Sequence, residues 1–142
     1  MDKVTITRKI VFHAGHMLKD DTSKCHAPHG HEYVVDLSIT GPIQKEGEET
    51  GMIMNFGSLK QVLEKVTNVF DHKFILDIDD PRAADFNNAV GGHGIVIVSF
   101  APTAENLAVH LVTLINNQLP QGIAVSHLRL QETLNCWADV HS

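Results

Sequence analysis

The chain has 142 residues, 43% hydrophobic and 20% charged, the profile of one soluble globular domain with enough core to need no staples. A net charge of -6 and a pI of about 5.9 exclude a general nucleic-acid surface, which needs clustered Lys and Arg, while leaving room for a local basic pocket and an anionic small substrate. Cys25 and Cys136 are too few for a disulfide scaffold, no secretory leader is read, and no apolar run approaches a membrane span, so the expectation is a reducing, cytoplasmic setting.

In chain order, Val4 to Phe12 alternates apolar and polar residues with β-branching and reads as a strand. Ala14 to Gly30 shows no period and reads as a long functional loop. Glu32 to Thr40 alternates again, with Tyr33, Val35, Leu37 and Ile39 on one face, and should pair with the first strand as an antiparallel hairpin. Gly41 to Gly51 is a polar connection. From Phe56 the period becomes helical: Phe56, Leu59, Val62, Leu63, Val66 and Phe70 form one stripe, predicting a helix over about Phe56 to Asn68. Asp71 to Gly94 reads as irregular, broken by Pro81 and by paired Asn and Gly residues. Ile95 to Val98 is a short strand candidate. A second helix opens at Pro102-Thr103, with Leu107, Leu111, Leu114 and Ile115 on its buried side. Ala124 to Gln131 and Cys136 to Val140 complete the strands.

The order strand, strand, helix, helix, strand, strand predicts an α+β fold, a four-stranded antiparallel sheet with two helices on one face, as one domain over residues 1–142. Simple alternation puts Val125 on one side of the sheet and Leu128 and Leu130 on the other. A sheet covered on one face only would leave apolar residues wet, and edge-to-edge oligomerisation is the expected remedy.

Histidine is the compositional oddity, ten in all, five of them between His13 and His31. In Cys25-His26-Ala27-Pro28-His29-Gly30-His31, the pair His29 and His31 stands where a strand begins, so both imidazoles point the same way. His16, at the end of the preceding strand, supplies a third. Three His ligands leave the open position of a catalytic zinc site. His13 and His26 are further candidates, and Cys25 could act as the fourth ligand of a closed structural site, although C-x3-H-x-H is not a usual closed pattern.

Six blocks resemble one family. Phe12-x-Ala14-x-His16, Cys25-x3-His29-Gly30-His31, Gly51 to Phe56 with Leu59-Lys60, Phe70-Asp71-His72-Lys73, Pro102-Thr103-Ala104-Glu105-Asn106, and Glu132-Thr133 occur in the order of the 6-pyruvoyltetrahydropterin synthase and 6-carboxytetrahydropterin synthase family. They span nearly the whole chain. The resemblance implies the T-fold: four antiparallel strands with two helices between strands two and three, three subunits closing a barrel, two trimers stacking into a homohexamer, and active sites between subunits.

It also implies roles. His16, His29 and His31 would hold Zn2+. Cys25 would accept a proton from the pterin side chain, assisted by His72 and Asp71, since a free thiol is a weak base at neutral pH. Glu132 would grip the pterin ring through paired hydrogen bonds. Glu105 and Thr103 are further substrate-binding candidates, and Cys136 is read as structural. Lys9, Lys19, Lys24 and Lys73 lie near the motifs without an assigned role.

Three departures from the family pattern stand out: His13 within the first block, Asn55 where some bacterial members have Asp, and a long stretch from Asp79 to Ser99. The presence of Cys25 excludes the folate branch of the family, which lacks that residue. The implied activity is that of a lyase, a 6-carboxy-5,6,7,8-tetrahydropterin synthase acting on 7,8-dihydroneopterin triphosphate, with release of acetaldehyde and triphosphate, on the queuosine and deazaguanine route. The alternatives are 6-pyruvoyltetrahydropterin synthesis and a non-catalytic member that binds zinc or pterin. The expected partners are a small pterin and further copies of the chain, with no nucleic acid and no membrane.

Overall fold

In the computed structural model, which describes residues 2–142, six strands form one mixed sheet in the order β4-β3-β1-β2-β5-β6. They are β1 (Lys3–His16), β2 (His29–Pro42), β3 (Lys73–Asp77), β4 (Ile95–Val98), β5 (Ala124–Thr133) and β6 (Cys136–His141). Three helices join them, α1 (Phe56–Thr67), α2 (Ala83–Ala89) and α3 (Ala104–Asn116). The run β1-β2-β5-β6 is antiparallel throughout, which is the expected four-stranded sheet with α1 and α3 between its second and third strands.

The long β1–β2 ladder follows from the alternation. Tyr33, Val35, Leu37 and Ile39 are fully buried on one face beside Phe12 and Ala14, and α1 and α3 lay Leu59, Leu63, Leu107, Leu111 and Ile115 against them. Asn55 caps α1 by accepting from the Gly57 N–H at 2.8 Å, and Thr103 caps α3 by accepting from the Asn106 N–H at 3.2 Å. Phe56, assigned to the buried stripe of α1, is 52% exposed because it occupies the first helical position, outside the packed turns. The opposite face of the sheet is polar: Thr5 pairs with Thr40, Thr7 with Ser38 and Lys9 with Asp36. Arg129 and His127 share Asp139 there, and hydrogen bonding to Arg129 holds the Asp139 carboxyl down at about 2.

Three expectations are corrected. The segment read as a loop from Ala14 to Gly30 is shorter, since β1 runs on to His16 and β2 starts at His29. The segment read as irregular holds β3 and α2. β3 lies between two parallel neighbours and is covered on both faces, so Phe74, Ile75 and Leu76 form a continuous apolar run with no alternation to detect. Ile75 joins the main core, whereas Leu76 packs with Met17 and Ala83 in a second cluster under α2, and the Phe74 and Phe86 rings stack at 4.3 Å. The third helix therefore covers the other side of the sheet. Lastly, Val125, Leu128 and Leu130 share one core. Ser38 pairs with His127 and Ile39 with Val125, so Ser126 is the extra residue of a bulge that resets the alternation.

Candidate active site

The β1–β2 register sets His16 directly opposite His29, and His31 one pleat further along the same face. Their three ligand nitrogens converge: His16 Nε2 is 3.0 Å from His29 Nε2 and 3.1 Å from His31 Nε2. Tetrahedral zinc with bonds of about 2.0–2.1 Å places its ligands roughly 3.3 Å apart, so the trio has the required spacing. Protonation states fit as well. His16 Nδ1 lies 2.6 Å from the Pro102 carbonyl and His29 Nδ1 2.7 Å from the Ala27 carbonyl. A carbonyl only accepts, so both Nδ1 atoms carry the proton and both Nε2 atoms present lone pairs inward. Acceptors facing each other at this distance repel unless a cation lies between them. Burial pushes the His16 and His31 imidazoles below the usual histidine range, which keeps them neutral and able to ligate. The residues present fit a zinc ion. Cys25 is outside this group, as is His26, whose Nδ1 bonds the Leu18 carbonyl at 3.1 Å.

Glu132 reaches the same place from β5, with Oε1 3.1 Å from His31 Nε2. Gln131 pairs with Trp137 and Thr133 with Cys136, so Glu132 is the extra residue of a second bulge. Bulges of this kind re-aim side chains next to functional sites. With Glu105 and Cys136 it lines a cavity of about 400 Å³. Glu105 is thus brought to the site, whereas the Thr103 hydroxyl serves the α3 cap. Tyr33, buried beneath the triad with its hydroxyl 3.5 Å from His16 Nδ1, has its phenol pushed above the ordinary range by burial.

Cys25 sits half-buried on a single 3-10 turn, Lys24–His26, whose first N–H groups are capped by Ser23: the Cys25 N–H donates to Ser23 Oγ at 3.2 Å. Among the described residues no side-chain hydrogen bond joins Cys25 to His72. His72 belongs to a different cluster on the far face of the sheet. Its N–H donates to the His13 carbonyl at 2.6 Å, its Nδ1 is 3.0 Å from Asp71 Oδ2, and its ring lies 5.7 Å from that of His13. The His13 N–H donates in turn to Asp71 Oδ1 at 2.9 Å, which holds the Asp71 carboxyl below the usual carboxylate range. His72 adopts φ 60°, uncommon for a residue with a side chain, and this turns its ring out into a cavity of about 550 Å³. Gly15 and Gly30, paired across β1 and β2, leave the floor of that cavity as bare backbone, and a Cβ on Gly15 would meet the Phe74 ring at 2.5 Å.

A family model described as 6-pyruvoyl tetrahydropterin synthase matches residues 5–142. The chain belongs to this family. A 6-carboxy-5,6,7,8-tetrahydropterin synthase of Rickettsia felis is 36% identical over 140 residues, covering 96% of this chain and 99% of the relative. A 6-pyruvoyl tetrahydrobiopterin synthase of Dictyostelium discoideum is 40% identical over 81 residues, covering 49% of this chain and 58% of the relative. An uncharacterised protein of Wolinella succinogenes has the same fold, with a TM-score of 0.80 at 24% identity over 100% of this chain and 99% of that one. The T-fold of the 6-pyruvoyl tetrahydropterin synthase family thus underlies the site, here in a sheet of six strands in which β3 and β4 lie beyond β1.

Several contributors escaped the sequence reading. The carbonyls of Pro102 and Ala27, which orient two imidazoles, carry no side-chain signature. The Pro102 position was visible only as part of a helix start. His13 has no visible role in the sequence because its neighbours Asp71 and His72 lie far along the chain.

Proposed function

We propose that this chain, folded as one domain, is a zinc-dependent 6-carboxytetrahydropterin synthase acting on 7,8-dihydroneopterin triphosphate in the cytoplasm. The reading rests above all on the convergence of three Nε2 atoms on one point beside a carboxylate, in a chain whose nearly full-length relative bears that name. His16, His29 and His31 would hold the ion, which when bound supplies Lewis acidity that polarises the side-chain oxygens of the substrate and acidifies the neighbouring C–H.

The chain's own groups do the rest. Cys25 accepts the side-chain proton. Glu132, freed from regular pairing by its bulge, accepts hydrogen bonds from the aminopyrimidinone edge, with Glu105 beside it. The His72–Asp71 pair assists the thiol, but it lies on the opposite face of the sheet from the triad. A neighbouring copy therefore has to deliver it, which requires an oligomer. The unpaired edges of β4 and β6 offer the surfaces for joining sheets, in trimers or stacked trimers. No helix among the described residues is long and apolar enough to cross a membrane.

Incubating the zinc-loaded protein with 7,8-dihydroneopterin triphosphate and identifying products by mass tests this. Acetaldehyde with 6-carboxytetrahydropterin is the expected result. A pyruvoylpterin would transfer the assignment to the reaction named for the Dictyostelium relative. No turnover with tight pterin binding would make the chain a binder.

A further inference from the structure

The turn that carries Cys25 is fastened to the β3–α2 segment. Asp80 follows β3, and its side chain is 1% exposed. Arg82 grips it with two prongs, Nε to Oδ1 at 3.1 Å and Nη2 to Oδ2 at 2.9 Å. The Arg82 backbone N–H also donates to Oδ1, at 2.9 Å, so the guanidinium is fixed in direction. Its remaining arm, Nη1, donates to the backbone carbonyl of His26, the residue after Cys25.

The same segment ties down the rest of the loop. Met17, at the loop's start, is buried with Leu76 and Ala83. Lys19 faces Asp77 across 3.9 Å. Leu18 closes the loop on itself, donating its N–H to the Cys25 carbonyl at 3.1 Å and accepting from His26 Nδ1 at 3.1 Å. Apart from these links, among the described residues Cys25 and Ser23 make only local turn bonds: Ser23 N–H to Asp21 Oδ1, Cys25 N–H to Ser23 Oγ, and His26 N–H to the Ser23 carbonyl. Three of the five guanidinium N–H groups are thus committed, two to Asp80 and one to the Cys25 turn.

We propose that Arg82, braced by buried Asp80, is a positioning residue that holds the Cys25 turn, and with it the thiol, in its working place. The inference rests on the reading of Cys25 as the proton acceptor. It gives the stretch from Asp79 onward a catalytic purpose. Misplacing a reacting group by about 1 Å can cost on the order of 10²-fold in rate, so one hydrogen bond to the turn has leverage.

The test compares wild type, Arg82→Ala and Arg82→Lys as zinc-loaded protein, with metal content and thermal midpoint checking that each is folded. Iodoacetamide labelling of Cys25, separated from Cys136 by peptide mass spectrometry, reads the thiol without any need for turnover. Arg82→Ala is expected to keep its zinc, label Cys25 roughly 3-fold faster or more as the turn opens, and lose about 10-fold or more in kcat with KM little changed. Arg82→Lys, which keeps the charge beside Asp80 but cannot span both partners, should fall between. An unchanged labelling rate or an unchanged kcat in folded Arg82→Ala overturns the proposal. Should that variant not fold, the same criteria apply to Arg82→Lys. A wild type without turnover would sink the functional reading instead, and the labelling rates would then decide the clamp alone.

Discussion

Two histidine clusters lie on opposite faces of one sheet and differ in almost every physical respect. His16, His29 and His31 sit on the helix-covered face, where His16 is 1% exposed and burial holds imidazoles neutral. Backbone carbonyls occupy the Nδ1 atoms of two of them and turn their Nε2 atoms inward. His13, Asp71 and His72 sit on the polar face, with the His72 side chain 78% exposed and its Nδ1 held by a carboxylate. Both clusters offer donor atoms within 4.8 Å of one another. Proximity alone does not separate them. Burial and the second hydrogen bond of each ring do: they suit one cluster to a cation and the other to handling protons.

The sharpest way to break that contrast is to remove a ligand. His29→Ala should lose bound zinc by elemental analysis and lower turnover by about three orders of magnitude or more, since both the ion and its open position go. Retained metal would show that the buried trio is not the ligand set. Cys25→Ala comes next, with a loss of roughly 10²–10⁴-fold in kcat, the range of a general base, and a full complement of zinc. Zinc loss in this variant would place the sulfur among the ligands.

The third prediction addresses the separation of faces. His72→Ala and Cys25→Ala proteins, each inactive alone, should regain activity when unfolded and refolded together, because some mixed sites then receive both intact groups. Mixing that restores nothing would mean that the pair acts within one copy or not at all.

A smaller effect concerns pH. Burial lowers the folded-state pKa of His16 and His31 below the unfolded value of about 6.5, so between those values the unfolded chain binds more protons. Stability of the zinc-free protein should therefore rise with pH through that window and fall as pH drops below about 6.5, and zinc should be released over the same acid range. A thermal midpoint flat from pH 7 to 5 would contradict the neutral-imidazole assignment. Smallest of all, His13→Ala should leave zinc content unchanged, since His13 lies on the other face and its backbone N–H still holds Asp71.

Much of this site was legible in the sequence because its signals are local. The period-2 alternation of Glu32 to Thr40 fixed which face of β2 is buried, and the same parity put His29 and His31 on it. The stripe Leu59, Leu63 and Val66 and the Thr103 cap marked the two main helices. β3 was illegible, since a strand covered on both faces has no alternation to display. The bulges at Ser126 and Glu132 were hidden because an extra residue leaves its trace only in the pairing with another strand. Likewise Arg82 has no visible partner until folding lays the Cys25 turn upon it.

The sequence by itself determined the element order around the central four strands, the shared face of His29 and His31, and membership of the 6-pyruvoyl tetrahydropterin synthase family, all of which depend on residues near one another or on the residue types themselves. Only the tertiary structure decided that His16 meets them at bonding distance, that His72 stands on the opposite face, and that β3 and α2 brace the cysteine turn. Those facts depend on strand register and on which side of the sheet each segment crosses, and the free energy that selects them comes from burial among residues distant in the chain.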